Sequence, residues 1–202
     1  YRRIGKFEQA ENRCTTSLSQ LNDQNRSQDD PMLLRCMTEL SKIYLDSDKV
    51  LQAESLARNT YERSRLSFGA NHPKSLKRGQ VLVECLRKLG RLNDAQSLSN
   101  RIVSNLQFAL GQSHPDTLGA MDSLANIAAA RNDLNLALEQ YLEILKLKEQ
   151  ALGSMHPETL NTLNATAGIY RRLDMLEEAK KAQYMVYQRL QEKYGHEHPE
   201  TL

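Results

Sequence analysis

Histidine is the residue type whose spacing in this sequence most suggests a chemical site. Four histidines recur every 42 residues, each directly before a proline: His72, His114, His156 and His198. Imidazoles can bind metal ions or act as general bases. However, each 42-residue interval has one such histidine, and each lies before a proline that can start a helix. Neighbouring imidazoles should therefore be about 10 Å apart, which is the distance between the axes of packed helices. Metal–nitrogen bonds are about 2 Å long. His196 lies close to His198 in sequence but without a third ligand, so the pattern predicts a structural role and no metal site.

The cysteines, serines and glycines form no catalytic motif. Cys85 occupies a place where isoleucine stands in the other 42-residue intervals, which marks a core position, and Cys36 has no histidine nearby. The glycines are isolated, and none opens a phosphate-binding loop that ends in Lys-Ser or Lys-Thr. No Gly-x-Ser-x-Gly motif is present. We therefore expect a protein that is not an enzyme and has no catalytic residue, cofactor or metal.

Composition argues against several classes of partner. Lys and Arg number 27 against 25 Asp and Glu, for a formal net charge of +2, and aromatic residues make up 5%. Proteins that bind nucleic acid usually carry a clear basic excess or an aromatic surface. No apolar run approaches the roughly 18 residues that span a bilayer. Three scattered cysteines suit a reduced compartment better than a disulfide framework. We expect a cytoplasmic protein that binds neither nucleic acid nor membrane.

The histidines belong to a longer internal repeat, and this repeat decides the fold. Each His-Pro pair lies in the pattern Gly-x-x-His-Pro-x-[Ser/Thr]-Leu, and the same register places an alanine at 53, 95, 137 and 179. We expect a partial repeat in 1–30, full repeats in 31–72, 73–114, 115–156 and 157–198, and the start of another in 199–202. Because both ends fall inside a repeat, we expect the chain to be part of a longer protein.

Local chemistry divides each repeat into two helices. Proline suits the first helical turn, and Asp116 and Glu158 follow it near the positive end of the helix dipole. Turn-tolerant residues separate the two helices and a glycine ends the second. We expect helices at 5–22, 32–46, 49–67, 74–88, 92–109, 116–130, 134–151, 158–172 and 176–193, and no strands. One helix pair cannot bury its apolar face alone, but stacked pairs can.

The stretch Leu-Gly-x-x-His-Pro-[Asp/Glu]-Thr-Leu, at 110–118 and 152–160, resembles the tetratricopeptide repeat in its 42-residue, kinesin light chain-like form. Similar arrays are found at the C-terminal ends of NB-ARC-type signalling ATPases. The resemblance covers essentially the whole chain. It implies an all-α, right-handed solenoid of stacked antiparallel helix pairs, a TPR-like superhelix. Kinesin light chain repeats carry Asn-Asn-Leu-Ala on the first helix, whereas this chain has Glu39, Val81, Ser123 and Ala165 where the second asparagine would face the peptide.

The resemblance also implies where a partner would bind. In this family, polar residues of each first helix line a concave groove that binds peptides. The corresponding candidates here are Arg35, Lys42, Lys77, Arg87, Lys88, Ser123, Asn126, Asn161, Asn164, Arg171 and Arg172. Arginine and lysine would bind carboxylates, so the expected partner is an acidic peptide or protein segment.

Other interpretations of these candidate residues stay open. The same side chains could simply be solvated faces of helices. The chain could also be a structural array that self-associates through its ends within a larger signalling protein. A third alternative is a cargo adaptor of the kinesin light chain type.

Overall fold

The structure, a computed structural model, describes residues 7–23 and 30–195. Within these ranges every regular element is an α-helix: α1 Phe7–Asp23, α2 Pro31–Asp46, α3 Val50–Phe68, α4 Pro73–Lys88, α5 Leu92–Leu110, α6 Pro115–Ala130, α7 Leu134–Leu152, α8 Pro157–Arg172 and α9 Leu176–Tyr194. The predicted all-α fold of helix pairs is confirmed, and each helix begins and ends within two residues of its prediction. The expectations for 1–6 and for 196–202, which include His196 and His198, lie outside the described residues.

The recurring histidines cap the helices that they precede. The Nδ1 atom of His72 accepts a hydrogen bond from the backbone N–H of Lys74 at 3.1 Å. His114 and His156 accept in the same way from the second residue of α6 and of α8, at 3.1 and 3.2 Å. Before α2 the carboxylate of Asp30 takes this place. Each acceptor satisfies one of the free N–H groups at a helix start, so the predicted structural role is confirmed for these three histidines.

The turn inside each helix pair depends on one residue in the left-handed backbone region. Asp48, Asn132 and Asp174 have φ values of 61°, 68° and 61°, and Gly90 has 72°. In this region Cβ crowds the backbone, and asparagine, aspartate and glycine tolerate it best. Backbone geometry therefore explains the residue types found at the predicted turns.

The chain divides into two compact units, Tyr1–Leu110 and Gly111–Leu202. In unit 1 successive helices from α1 to α5 pack against one another, and in unit 2 successive helices from α6 to α9 do so. The four repeated alanines are all buried. The repeat boundaries themselves stay a prediction. None of the described helices is both long and apolar enough to cross a bilayer.

Candidate functional site

In unit 1 two of the predicted binding residues pair with carboxylates of their own helix. Lys42 contacts Glu39 at 2.8 Å, one turn away on α2. Arg87 makes two hydrogen bonds to the carboxylate of Glu84 on α4, at 2.6 and 2.8 Å. An anionic partner would have to compete with these local carboxylates, so the two cations attract it less than the sequence suggests. Arg35 is exposed on α2.

Two further candidates connect neighbouring helix pairs. The Nζ of Lys88 donates to the carbonyl oxygen of Leu45, at the end of α2, at 2.8 Å. Arg172 donates to the side-chain oxygen of Asn132, in the turn before α7, at 3.0 Å. Lys88 thus provides a donor to a helix C-terminus, where carbonyl groups lack intrahelical partners and the dipole favours a cation. This structural role was not predicted from the sequence.

In unit 2 three of the candidates on α8 lie with Gly168 on one stripe of the helix surface. Asn161, Asn164, Gly168 and Arg172 follow one another at intervals of three or four residues, which places them on the same helix face. Both asparagines are exposed, and within the described residues neither side-chain amide has an intramolecular hydrogen bond. Arg171 is exposed beside this stripe. The open amides can therefore donate to and accept from a ligand.

The candidates on α6 already make hydrogen bonds within the protein. The side-chain oxygen of Asn126 accepts from the hydroxyl of Tyr141 at 2.8 Å, and its nitrogen donates to the carbonyl oxygen of Asp122 at 2.9 Å. Ser123 donates to the carbonyl oxygen of Gly119 at 3.1 Å. Of the two helices that begin with a His-Pro pair in unit 2, α8 is therefore the one whose asparagine amides are open.

Two helical glycines lie beside these candidates without a packing reason. A Cβ added at Gly119 or Gly168 would meet nothing within 4 Å. At Gly79, by contrast, a Cβ would come within 2.9 Å of Ile102 and 3.0 Å of Tyr61. Glycine inside a helix costs about 0.5–1 kcal/mol relative to alanine. At Gly79 the close packing of Ile102 and Tyr61 leaves no room for a larger residue. At Gly119 and Gly168 no neighbour requires a glycine, and its effect is to leave open space over the helix backbone.

A buried ionic cluster in unit 2 was missed by sequence reasoning. The side chain of Lys148 on α7 is 2% exposed, and its ammonium contacts the carboxylate of Asp122 on α6. The same ammonium donates to the hydroxyl of Thr162 on α8 at 2.9 Å. One feature of the sequence could have indicated it: Leu106 occupies the matching place one repeat earlier, so a lysine stands at a position where the repeat has an apolar residue. Because the amine is enclosed, it links three helices and offers nothing to a ligand.

Among the described residues, side chains that could bind a metal are not grouped, and two of the cysteine thiols are not activated. No group of three or more histidine, cysteine or acidic side chains among them is arranged to hold a metal ion. Burial raises the pKa of the Cys85 thiol to about 12, so this group stays protonated near neutral pH. Burial also raises the pKa of Cys14. Neither thiol has the thiolate character that a nucleophile needs.

Comparison with known proteins identifies the repeat. Tetratricopeptide repeat profiles match residues 33–74 and 79–150. The structure is similar to the nearly identical TPR-like repeats of a Podosopora anserina protein assigned as a kinesin light chain, with a TM-score of 0.74 and 21% identity over 96% of this chain and 91% of that chain. No curated protein sequence matches the chain.

Two other solved structures share the fold. BtubC (BKLC) from P. vanneervenii has a TM-score of 0.74 at 16% identity, over 93% of this chain and 74% of that chain. The apo form of RapI has a TM-score of 0.73 at 10% identity, over 95% of this chain and 66% of that chain. At such low identities the likeness concerns the fold alone.

Proposed function

The chain belongs to the tetratricopeptide repeat family, and from this premise we propose that it is a non-catalytic, cytoplasmic module that binds an extended acidic segment of a partner protein. Stacked helix pairs of this kind are typical of protein-interaction modules, because they present long continuous surfaces of side chains. The proposal rests on one observation, the exposed stripe of α8 with its two unused amides.

Asn161 and Asn164 suit the backbone of an extended peptide. A side-chain amide carries both a donor and an acceptor, the same complement as a peptide group. The two amides are one helical turn apart on α8 and both face solvent. Gly168, the next residue along the stripe, has open space above its Cα. A ligand backbone could therefore approach the helix closely at this point.

Basic side chains supply the preference for an acidic partner. Arg171 and Arg172 lie at the C-terminal end of the stripe, and guanidinium groups bind carboxylates in a bidentate geometry. In unit 1, Arg35 and Lys77 are exposed on α2 and α4. Single exposed charges contribute little to affinity, so they act mainly on association rate and on partner choice.

Selection from a library of random peptides displayed on phage tests the proposal. We expect the selected peptides to be enriched in aspartate and glutamate and to bind less tightly as salt rises. The double variant Asn161→Ala with Asn164→Ala should weaken a selected peptide by about tenfold or more, since two hydrogen bonds contribute roughly 0.5–1.5 kcal/mol each. Fluorescence polarisation with the labelled peptide measures this loss.

The matched control is Asn135→Ala, which removes an exposed asparagine from α7 of the same unit. This variant should bind the selected peptide like the unchanged chain. Charge reversal at Arg171→Glu should abolish the preference for acidic peptides while leaving the helical circular dichroism unchanged. If the library yields no peptide, or if the Asn161 and Asn164 changes leave binding intact, the proposed function is wrong.

A structural, self-associating array is the second candidate function, and α9 supports it. Leu176, Tyr184 and Tyr187 lie on one face of this helix and are 53%, 60% and 42% exposed. Helices of globular proteins normally bury their apolar face, so a second copy of the chain could cover this one. Sedimentation equilibrium should then detect dimers that Tyr184→Lys disrupts. A monomer at all concentrations would exclude this function.

A further inference from the structure

A basic cleft lies on the second helices of unit 1. It is about 500 Å³ in volume and opens between α3 and α5, with Leu82 and Leu86 of α4 at its base. Four arginines line it: Arg58, Arg65, Arg91 and Arg101. We call it the arginine cleft. An apolar base below several guanidinium groups resembles the general design of ligand sites, in which a few polar groups fix the ligand above apolar walls.

Two of the four arginines already have carboxylate partners. Arg58 makes hydrogen bonds of 2.9 and 2.5 Å to Glu54, one turn away on α3. Arg91 contacts Asp94 at 2.7 Å and Glu54 at 3.6 Å. The charges at this end of the cleft are therefore largely balanced.

The other two arginines converge on Tyr61 without a carboxylate. The guanidinium of Arg65 lies over the Tyr61 ring, 5.6 Å from its centroid. Arg101 donates to the hydroxyl of the same tyrosine at 3.1 Å. In the part of the chain that the structure describes, neither arginine forms an ion pair. Both arginines are exposed, and an anion that contacts both guanidinium groups would offset the repulsion between these like charges.

The fold itself does not require these arginines. In unit 2 the matching places on α7, α9 and the turn before α9, two repeats further on, carry Leu142, Glu149, Met175 and Met185. A packing role common to all repeats would favour the same residue type in both units. The four arginines are thus a property of unit 1 rather than of the repeat.

We propose that the arginine cleft binds a phosphorylated side chain of a partner protein. A phosphate ester carries a charge of about −1.5 to −2 at neutral pH, which matches the two guanidinium groups of Arg65 and Arg101. A carboxylate would neutralise one of them. Guanidinium groups bind phosphate oxygens in pairs of parallel hydrogen bonds, and the leucines at the base can contact the apolar part of the ligand. This site is independent of the α8 stripe and of its amides.

Glu62 also lines the cleft and provides a second test of phosphate binding there. Among the described residues it forms no ion pair, so its carboxylate would repel a bound phosphate. Glu62→Gln should therefore tighten phosphate binding several-fold, which is the sign expected from removal of a like charge. If Glu62→Gln leaves phosphate binding unchanged or weakens it, the phosphate does not bind in the arginine cleft.

The test measures, by fluorescence polarisation, the affinity of the chain for two fluorescein-labelled peptides of glycine and alanine. One peptide carries a single phosphoserine, and the other carries serine at the same place. The phosphopeptide should bind at least about tenfold more tightly, and Arg65→Ala with Arg101→Ala should remove this difference, since each charged hydrogen bond that is lost costs about tenfold. Arg131→Ala with Lys181→Ala in unit 2 makes the same change in net charge and should leave binding unaltered. Circular dichroism checks that both double variants keep their helices.

Other anionic ligands give distinguishable results. Inorganic phosphate should compete with the phosphopeptide, because the proposal assigns recognition to the phosphoryl group. Vesicles of phosphatidylcholine with a phosphoinositide, and a short DNA duplex, should bind more weakly than the phosphopeptide. Tighter binding to either of them, equal binding of the two peptides, or equal losses in the cleft and control variants would overturn the proposal.

Discussion

The same three places in the repeat are filled differently in the two units. In unit 2 they hold Asp122, Lys148 and Thr162, and the ammonium of Lys148 contacts both a carboxylate and a hydroxyl. In unit 1 the matching residues are Thr38, Ser64 and Arg78. The cation of unit 1 therefore belongs to α4, the first helix of its pair, whereas Lys148 belongs to α7, the second helix of its pair. Arg78 donates to the hydroxyl of Ser64 at 3.2 Å and to the carbonyl oxygen of Lys74 at 3.0 Å.

The difference lies in what each cation finds as a partner. Lys148 has a carboxylate, whereas Arg78 contacts neutral oxygens, and its buried Nε has no hydrogen-bond partner. Burial accordingly lowers the pKa of Arg78. A buried cation without a counter-charge stabilises little, while breaking a buried pair exposes the remaining partner to a large desolvation cost. Unit 2 should therefore depend on its cluster much more than unit 1 depends on Arg78.

The largest expected effect is at Lys148. Lys148→Ala leaves the Asp122 carboxylate without its cation and should lower the free energy of unfolding by about 3 kcal/mol, the lower end for a broken buried pair. The lower end applies because the Asp122 side chain keeps 19% of its exposure. Urea unfolding followed by circular dichroism, with hydrogen exchange in α6 to α8, measures the loss.

The control removes both charges together. Lys148→Leu with Asp122→Leu should restore stability to within about 1 kcal/mol of the unchanged chain, since replacing a buried pair by apolar groups is often neutral. Leu106 occupies the place of Lys148 one repeat earlier and is fully buried, so a leucine suits this environment. A single Lys148→Ala change that costs nothing would show that the two units do not differ in this way.

An intermediate effect is expected from the glycines of the two units. Gly79→Ala should destabilise unit 1 by roughly 1–3 kcal/mol, because its Cβ would collide with Ile102 and Tyr61. Gly168→Ala should instead stabilise unit 2 by about 0.5–1 kcal/mol through helix propensity, because the space above it is open.

Thiol labelling reports the Gly79 change directly. Burial raises the pKa of Cys85 to about 12, so this thiol reacts when its surroundings open. Mass spectrometry should show faster labelling at Cys85 in Gly79→Ala, by about tenfold for each 1.4 kcal/mol. Equal stability of the Gly79→Ala and Gly168→Ala variants would mean that packing does not distinguish the two glycines.

The smallest effect is expected at Arg78. Arg78→Met should change the free energy of unfolding by less than about 1 kcal/mol, because no carboxylate is left unpaired and the methionine can still pack against its neighbours. Urea unfolding under the conditions used for Lys148→Ala gives the comparison. A loss as large as that of Lys148→Ala would show that the neutral contacts of Arg78 stabilise unit 1 as strongly as the ion pair stabilises unit 2.

Sequence reasoning succeeded for local structure and only partly for the candidate site. It predicted the helices, the turn residues and the structural role of His72, His114 and His156, since these depend on neighbours a few residues apart. It placed Asn161 and Asn164 on one helix face, as the structure has them. It did not foresee that Lys88 and Arg172 contact groups 43 and 40 residues earlier in the chain. It did not find the Lys148 cluster or the arginine cleft either.

The sequence by itself determined the repeat, the bounds of its helices and the residues that cap and end them. These features follow from hydrogen bonds and backbone conformations within one or two turns of helix, which residue types specify directly. Tertiary structure alone decided which charges are buried and which pair across helices, because those contacts join residues that are distant in the sequence. A lysine side chain is chemically the same on an exposed helix face and at position 148. Only the packing of Lys148 against Asp122 and Thr162 makes it a buried contact between helices.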